Sequence, residues 1–165
     1  MRENMGLYRG KRIDNGEWVE GYLVTVAIAG KRFCIILVPC EGVIRLDGRL
    51  LRLALDAIEN GRKIAGISDI NGNSFFVEPE TVGEYTGVTD KNGKKIFEGD
   101  ILRFRYTGEN RGVDGVAAVI FKDGKFGVKW GWHSELVALT GFANTSIEII
   151  GNIHDNPELL EAADG

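Results

Sequence analysis

Asp90, Asn92, Glu98 and Asp100 fall within "DKNGKKIFEGD" and form the densest group of side chains in this sequence that could do chemistry. Oxygen ligands at short spacing are what a hard divalent cation requires. An EF-hand loop counted from Asp90 needs ligands at its first, third and fifth positions, glycine at the sixth and glutamate at the twelfth. Glycine instead arrives fourth, lysines hold the fifth and sixth, and Ile101 stands twelfth. The calcium reading fails. The same residues read as turn chemistry: Asn92-Gly93 as a two-residue hairpin of type I′, Gly99 as a bend or bulge, and Asp100 as an acceptor for backbone amides where a barrel strand begins.

Other reactive types are sparse. The two histidines, His133 and His154, sit in one half of the chain and the two cysteines, Cys34 and Cys40, in the other, so a zinc set would need long-range convergence. The cysteines flank "IILVP". On one continuous strand they would lie about 20 Å apart, out of disulfide reach, and they read as buried, inert thiols. "HSE" has no nucleophile-elbow context. No catalytic residue, metal or other cofactor is expected. A small enzyme, with Asp90 and Asp100 bordering a cleft, ranks third among the functional readings.

"KFGVKWGWH" is the best surface candidate. If 125–130 is a strand, Lys125, Gly127 and Lys129 point one way and Phe126, Val128 and Trp130 the other, with Trp132 and His133 beyond Gly131. Aromatics beside lysines can cap a barrel core, contact a protein or stack nucleic-acid bases. Charge separates the last two. The chain carries 20 basic and 24 acidic residues, net −4, and residues 81–165 hold the whole deficit with 9 basic against 13 acidic. Binding by phosphate neutralisation normally shows a basic excess. A protein partner or a second copy is therefore expected, with a nucleic-acid-binding barrel as the runner-up.

The elements that must position these groups are mostly strands. Glycine punctuates the chain 23 times against three prolines, and the intervening segments are short and rich in Val, Ile, Phe and Trp. Hairpins are expected at Gly30-Lys31, at Asn71-Gly72-Asn73 between "RKIAGISDI" and "SFFVEPETV", and at Asp123-Gly124, the last also of type I′. Strands are expected near 94–97, 100–106, 115–122, 125–130 and 146–153. "SELVALTG" reads equally as a helical turn or a short strand, and "TGENRGVDG" (107–115) as a mobile loop. Leu50, Leu51, Ala54, Leu55 and Ile58 recur at helical spacing, predicting a helix over 48–60. Near the end, Asp155 or Asn156 is expected to cap a short helix opened by Pro157, with Glu158 at its positive end and Leu159 and Leu160 docked inward. The apolar run Cys34 to Val38 should be covered on both faces, which favours self-association if a second copy does the covering. No apolar run approaches the roughly 20 residues of a membrane span, and the N-terminus lacks a signal-peptide core, so the cytosol is the expected compartment.

Three stretches occur in one order: "RGKRIDNGEWVEGYLV", with Trp18 and Gly21; "PETVGEYTGVTDKNGKKIFEGDIL", with Thr86, Gly87, Asp90, Asn92, Gly93, Glu98, Gly99 and Asp100; and "EIIGNIHDNPELLE", with Gly151, Asn152, Asn156, Pro157, Glu158 and Leu159. Together they resemble the YopX family of phage and prophage proteins, and the pieces lie between residues 9 and 161, so they frame nearly the whole chain. Residues 31–74 and 107–115 carry no matching motif. The resemblance implies a phage origin, hence a bacterial host, and a C-terminal SH3-like barrel, here over 83–165; the strand and helix patterns read above add a β-rich N-terminal subdomain over 1–82 containing the helix. It gives the named motif residues structural roles and carries over no catalytic residue.

Overall fold

The structure, a computed structural model, describes residues 6–28, 30–38, 56, 60, 74–108, 111–129, 136–142 and 146–162. Within them the chain is mainly β, built of curled antiparallel sheets, and it divides into two compact units that meet in sequence between Gly83 and Glu84.

The first unit holds β1 (Leu7–Lys11), β2 (Trp18–Ile28), β3 (Lys31–Leu37) and β4 (Ser74–Val77), in the order β4-β3-β2-β1. This sheet curls until its ends meet. Arg12 bridges Val77, the Ile13 amide donates to the Phe76 carbonyl at 3.1 Å, and the Glu78 amide donates to the Lys11 carbonyl at 2.8 Å. Thr81 fixes the seam, its Oγ1 accepting the Lys11 amide at 2.8 Å. The pairs Leu23↔Ile36 and Cys34↔Val77 put apolar side chains on one face, where Cys34, Ile36 and Val77 form a core with Tyr8, Val19, Leu23 and Val82. Curling demands a bare position where β2 passes the end of β3. Gly21 supplies it, since a Cβ there would overlap the Leu37 carbonyl oxygen and stand 3.0 Å from Ile36 Cγ2.

Phe33, Cys34, Ile35 and Ile36 are buried in succession, so β3 is covered on both faces within one chain. That removes the reason this strand gave for a second copy. The β2–β3 turn lies one residue earlier than expected: Ile28 pairs Lys31, which leaves Gly30 inside the turn at φ +79°. The expected strand over 62–70, the turn at Asn71-Gly72-Asn73 and Cys40 lie outside the described residues; β4 takes β3 as its partner. The helix expected over 48–60 also lies outside them, save that Asp56 is helical and accepts the Asn60 amide at 3.1 Å.

The second unit holds β5 (Gly83–Thr89), β6 (Lys95–Phe97), β7 (Asp100–Gly108), β8 (Arg111–Lys122), β9 (Lys125–Val128), β10 (Val137–Ala138) and β11 (Ile147–Asn152). Five of them form a sheet in the order β10-β9-β8-β7-β11. The pairs Leu102↔Ala117, Val119↔Val128 and Ile147↔Phe104 place alternate side chains on one inner face. There they pack with Ile96, Leu139 and Phe142 into a half-barrel core. Each fully buried side chain of this size contributes about 1.5–3 kcal/mol relative to exposure.

Three expectations change here. The described residues of 107–115 are strand, not loop: β7 and β8 stay in register out to Gly108↔Arg111. Glycines at 112 and 115 lower strand propensity, yet they keep the register, pairing Thr107 and Phe104. The strand expected over 125–130 ends at Val128. Within "SELVALTG", left open above, Val137–Ala138 form a two-residue strand followed by a 3-10 turn over Leu139–Gly141.

Candidate functional site

Asp90 is 4% exposed, and its carboxylate is wholly engaged. One oxygen accepts the amides of Asn92 at 2.8 Å and Lys94 at 3.0 Å; the other accepts the Ile149 amide of β11 at 3.2 Å. Beside it the Lys91 amide donates to the Ile147 carbonyl at 2.9 Å, and Lys91 Nζ meets Glu148 at 2.8 Å. β11 is the end strand of its sheet, and this turn occupies its outer edge in place of a further strand. Burial is the largest single influence on Asp90 and opposes ionisation. The amides of Lys94, Ile149 and Asn92, with the charge of Lys94, together outweigh it and hold the carboxyl below the usual carboxylate range.

The same carboxylate explains why Asn92-Gly93 is not a type I′ turn. That type needs positive φ at both central residues, and of the two only Gly93 has it, at +78°. The Gly93 amide donates to the Asp90 carbonyl at 3.0 Å, so residues 90–93 make a direct turn and Gly93 reverses the chain after it. Thr86 and Gly87 lie in the facing strand. Tyr85 pairs Phe97 and Thr89 pairs Lys95, four steps against two, and this bulge is held by Thr86 Oγ1 donating to the Ile96 carbonyl at 2.8 Å. Gly87 takes φ +82° within it.

Gly99 and Asp100 form a corner between strands. Gly99 has φ +86°, donates its amide to the Val119 carbonyl and accepts the Ile153 amide, each at 2.9 Å. Asp100 is 1% exposed, and its carboxylate accepts the Phe97 amide at 2.8 Å. Glu98 adds a backbone bond to the Glu84 carbonyl at 2.9 Å.

At the chain's end Asn152 Oδ1 accepts the amides of His154 and Asp155, both at 3.0 Å. The β-bulge between Ile149 and Gly151 brings Gly151 against this turn. A Cβ on Gly151 would stand 2.6 Å from Asn156 Oδ1 and 2.9 Å from Leu159 Cδ1. The helix, α1 (Glu158–Glu161), has no side-chain cap: the Asn156 carboxamide reaches back to the Asn152 amide at 3.4 Å instead. Pro157 already has helical angles, with φ −60° and ψ −28°, and Leu159 and Leu160 are half-buried. In the first unit Arg9 stacks over Trp18, 4.8 Å from the ring centre.

The site residues so far serve the fold. The β8–β9 hairpin differs. Asp123 (φ 53°) and Gly124 (φ 77°) make the type I′ turn, which fixes the pairs Lys122↔Lys125 and Phe121↔Phe126. Phe126 packs on the core edge, while Phe121 is 53% exposed and lies against Phe126 with ring centres 4.9 Å apart. Lys125 and Lys129 are exposed, and Gly127 and Val128 are buried between them. Trp130, Trp132 and His133 lie outside the described residues. The sequence reading overlooked Phe121, although its place opposite Phe126 follows from counting back through the Asp123-Gly124 turn.

Among the described residues no group of three or more His, Cys, Asp or Glu side chains stands together as a metal site would require. Among them, too, no helix is long and apolar enough to cross a membrane. No curated protein matches the chain. A solved structure, that of protein EF1440 from Enterococcus faecalis, is similar at 23% identity and a TM-score of 0.46, over 93% of this chain and 96% of that one. The family model described as YopX protein matches residues 52–161, a span that takes in the Asp90 turn, the Gly99-Asp100 corner, the β8–β9 hairpin and the Asn152–Leu159 end; the chain belongs to the YopX family.

Proposed function

We propose that this chain is a non-enzymatic accessory protein of a phage or prophage, and that it works by binding protein, either a different chain or a second copy of itself. One observation carries the reading: Phe121 stands 53% exposed at the rim of the half-barrel core, backed by a second aromatic ring. A large aromatic side chain standing in water fits the anchor of a protein interface. The family supports a phage-type protein. Affinity capture from the bacterial host, read by mass spectrometry, tests the function. A partner retained by the parent and lost with Phe121→Ser supports it; identical captures from both would overturn the role of Phe121.

A nucleic-acid reading draws on the exposed Lys122, Lys125 and Lys129 near two phenylalanines. Adjacent pairs of a hairpin face opposite ways, so Phe121 and Phe126 share one face and Lys122 and Lys125 the other. One strand of nucleic acid could not stack on the rings and meet those lysines from a single side. Fluorescence anisotropy with labelled single- and double-stranded oligonucleotides should show no salt-sensitive, sub-micromolar binding; such binding would move this reading to first place.

A further inference from the structure

The β8–β9 hairpin carries two features that are unfavourable for the chain alone. One is the exposed Phe121. The other is the pair Lys122↔Lys125, two like charges directly opposite each other across the strands, an arrangement that costs roughly 0.2–1 kcal/mol. Asp123 lies between them in sequence, yet among the described residues no carboxylate stands within ion-pair distance of either lysine. A salt-bridged Glu–Lys pair in place of the two lysines would fit the hairpin better. Neither feature helps Asp123-Gly124 to turn, which needs only residues that tolerate positive φ. Both become favourable against the right surface.

The two features also lie on opposite faces. Phe121 and Phe126 share the inner-face side, and Lys122 and Lys125 the outer, with Lys129 exposed further along the chain. A flat partner could meet one set only. From this geometry we infer that the hairpin tip is an inserting element, which enters a cleft in a different protein with one apolar wall and one acidic wall. The apolar wall receives the Phe121 ring, and the opposite wall offers carboxylates to Lys122 and Lys125. Charge complementarity sets the second wall: within a half of the chain holding 9 basic and 13 acidic residues, this turn is locally basic, with Lys122 and Lys125 against Asp123. The inference rests on the protein-binding reading above and adds the shape and charge of the partner.

A photo-crosslinking amino acid placed singly at position 121, 125 or 103 in the full chain, expressed in the bacterial host, tests it. Arg103 is exposed on β7 and serves as the control. Adducts to one and the same protein from 121 and 125, absent from 103, are the expected result. Adducts from 121 alone would overturn the two-walled cleft but leave protein binding standing. Absence of any protein adduct would sink both readings. Adducts to a second copy or to nucleic acid would contradict the inference outright. A thermal melt keeps the test independent of folding: Lys125→Glu should raise the melting temperature by about 1–3 °C by removing the like-charge pair while abolishing the adduct from position 121. A lowered melting temperature would show that the lysine pair serves the fold.

Discussion

Two turns in this protein begin with aspartate and use glycine at positive φ, and they are put to opposite uses. At Asp90–Gly93 the carboxylate is buried and bonded to three amides, one of them on β11, so the turn closes the edge of a sheet. At Asp123-Gly124 the turn residues are exposed, and the hairpin lifts Phe121 and two lysines into water. Similar composition thus gives a latch in one place and a presented tip in the other. What separates them is whether a second element, here β11, lies within reach of the carboxylate.

The largest effect should appear where the latch side of the molecule is tightest. Gly151→Val would drive its side chain into Asn156 and Leu159 and should cost about 3 kcal/mol in urea denaturation, as overpacking does. Gly99→Val should rank with it, because the corner needs φ +86°. At the tip, Gly124→Ala meets nothing within 4 Å. It should lose only the backbone term, about 1 kcal/mol. If Gly151→Val and Gly124→Ala melt together, the packing account of the C-terminal turn is wrong.

Acid should discriminate next. Asp90 is held below its unfolded-chain value of about 4. Its contribution is therefore fully present above that value and is lost as pH falls through the folded value. Thermal melts between pH 6 and pH 2 (about the range that brackets carboxylate titration) should fall more steeply for the parent than for Asp90→Asn. Parallel curves would remove Asp90 from the linkage. A small effect on stability is expected at the tip: Phe121→Ser should cost only about 1 kcal/mol, the loss of its ring contact with Phe126, while losing the captured partner.

How legible this was depends on the range of the interactions. The Asp123-Gly124 hairpin could be read because its geometry is set by the two residues themselves. Asn92-Gly93 carries the same local signature and was misread, since the deciding group is Asp90 and its third bond goes to Ile149, 59 residues away. Gly99 and Asp100 read in the sequence as a bend and an amide acceptor, and the corner uses them so; Gly151, marked there only as a motif residue, meets a tight contact set by the Asn156 and Leu159 side chains. The segment 107–115 was misread because glycine weakens strand propensity, whereas the pairing of β7 with β8 is decided by the strands on either side. The missing cap at α1 has a similar cause: Asn156 is drawn off to Asn152 by the bulge at Gly151. Phe121 belongs to no motif of its own; its place opposite Phe126 is set only by the register that the Asp123-Gly124 turn fixes.

The most direct test sets the same substitution at both turns. Asn keeps the size of Asp and its tolerance of positive φ, but it offers one acceptor where the carboxylate offers two. Urea denaturation of Asp90→Asn should show a loss of about 2 kcal/mol, because a buried amide is left facing a donor. Asp123→Asn should lie within about 0.5 kcal/mol of the parent. Equal losses at the two positions, or a larger one at Asp123, would contradict the division of the molecule into a latch and a presented tip.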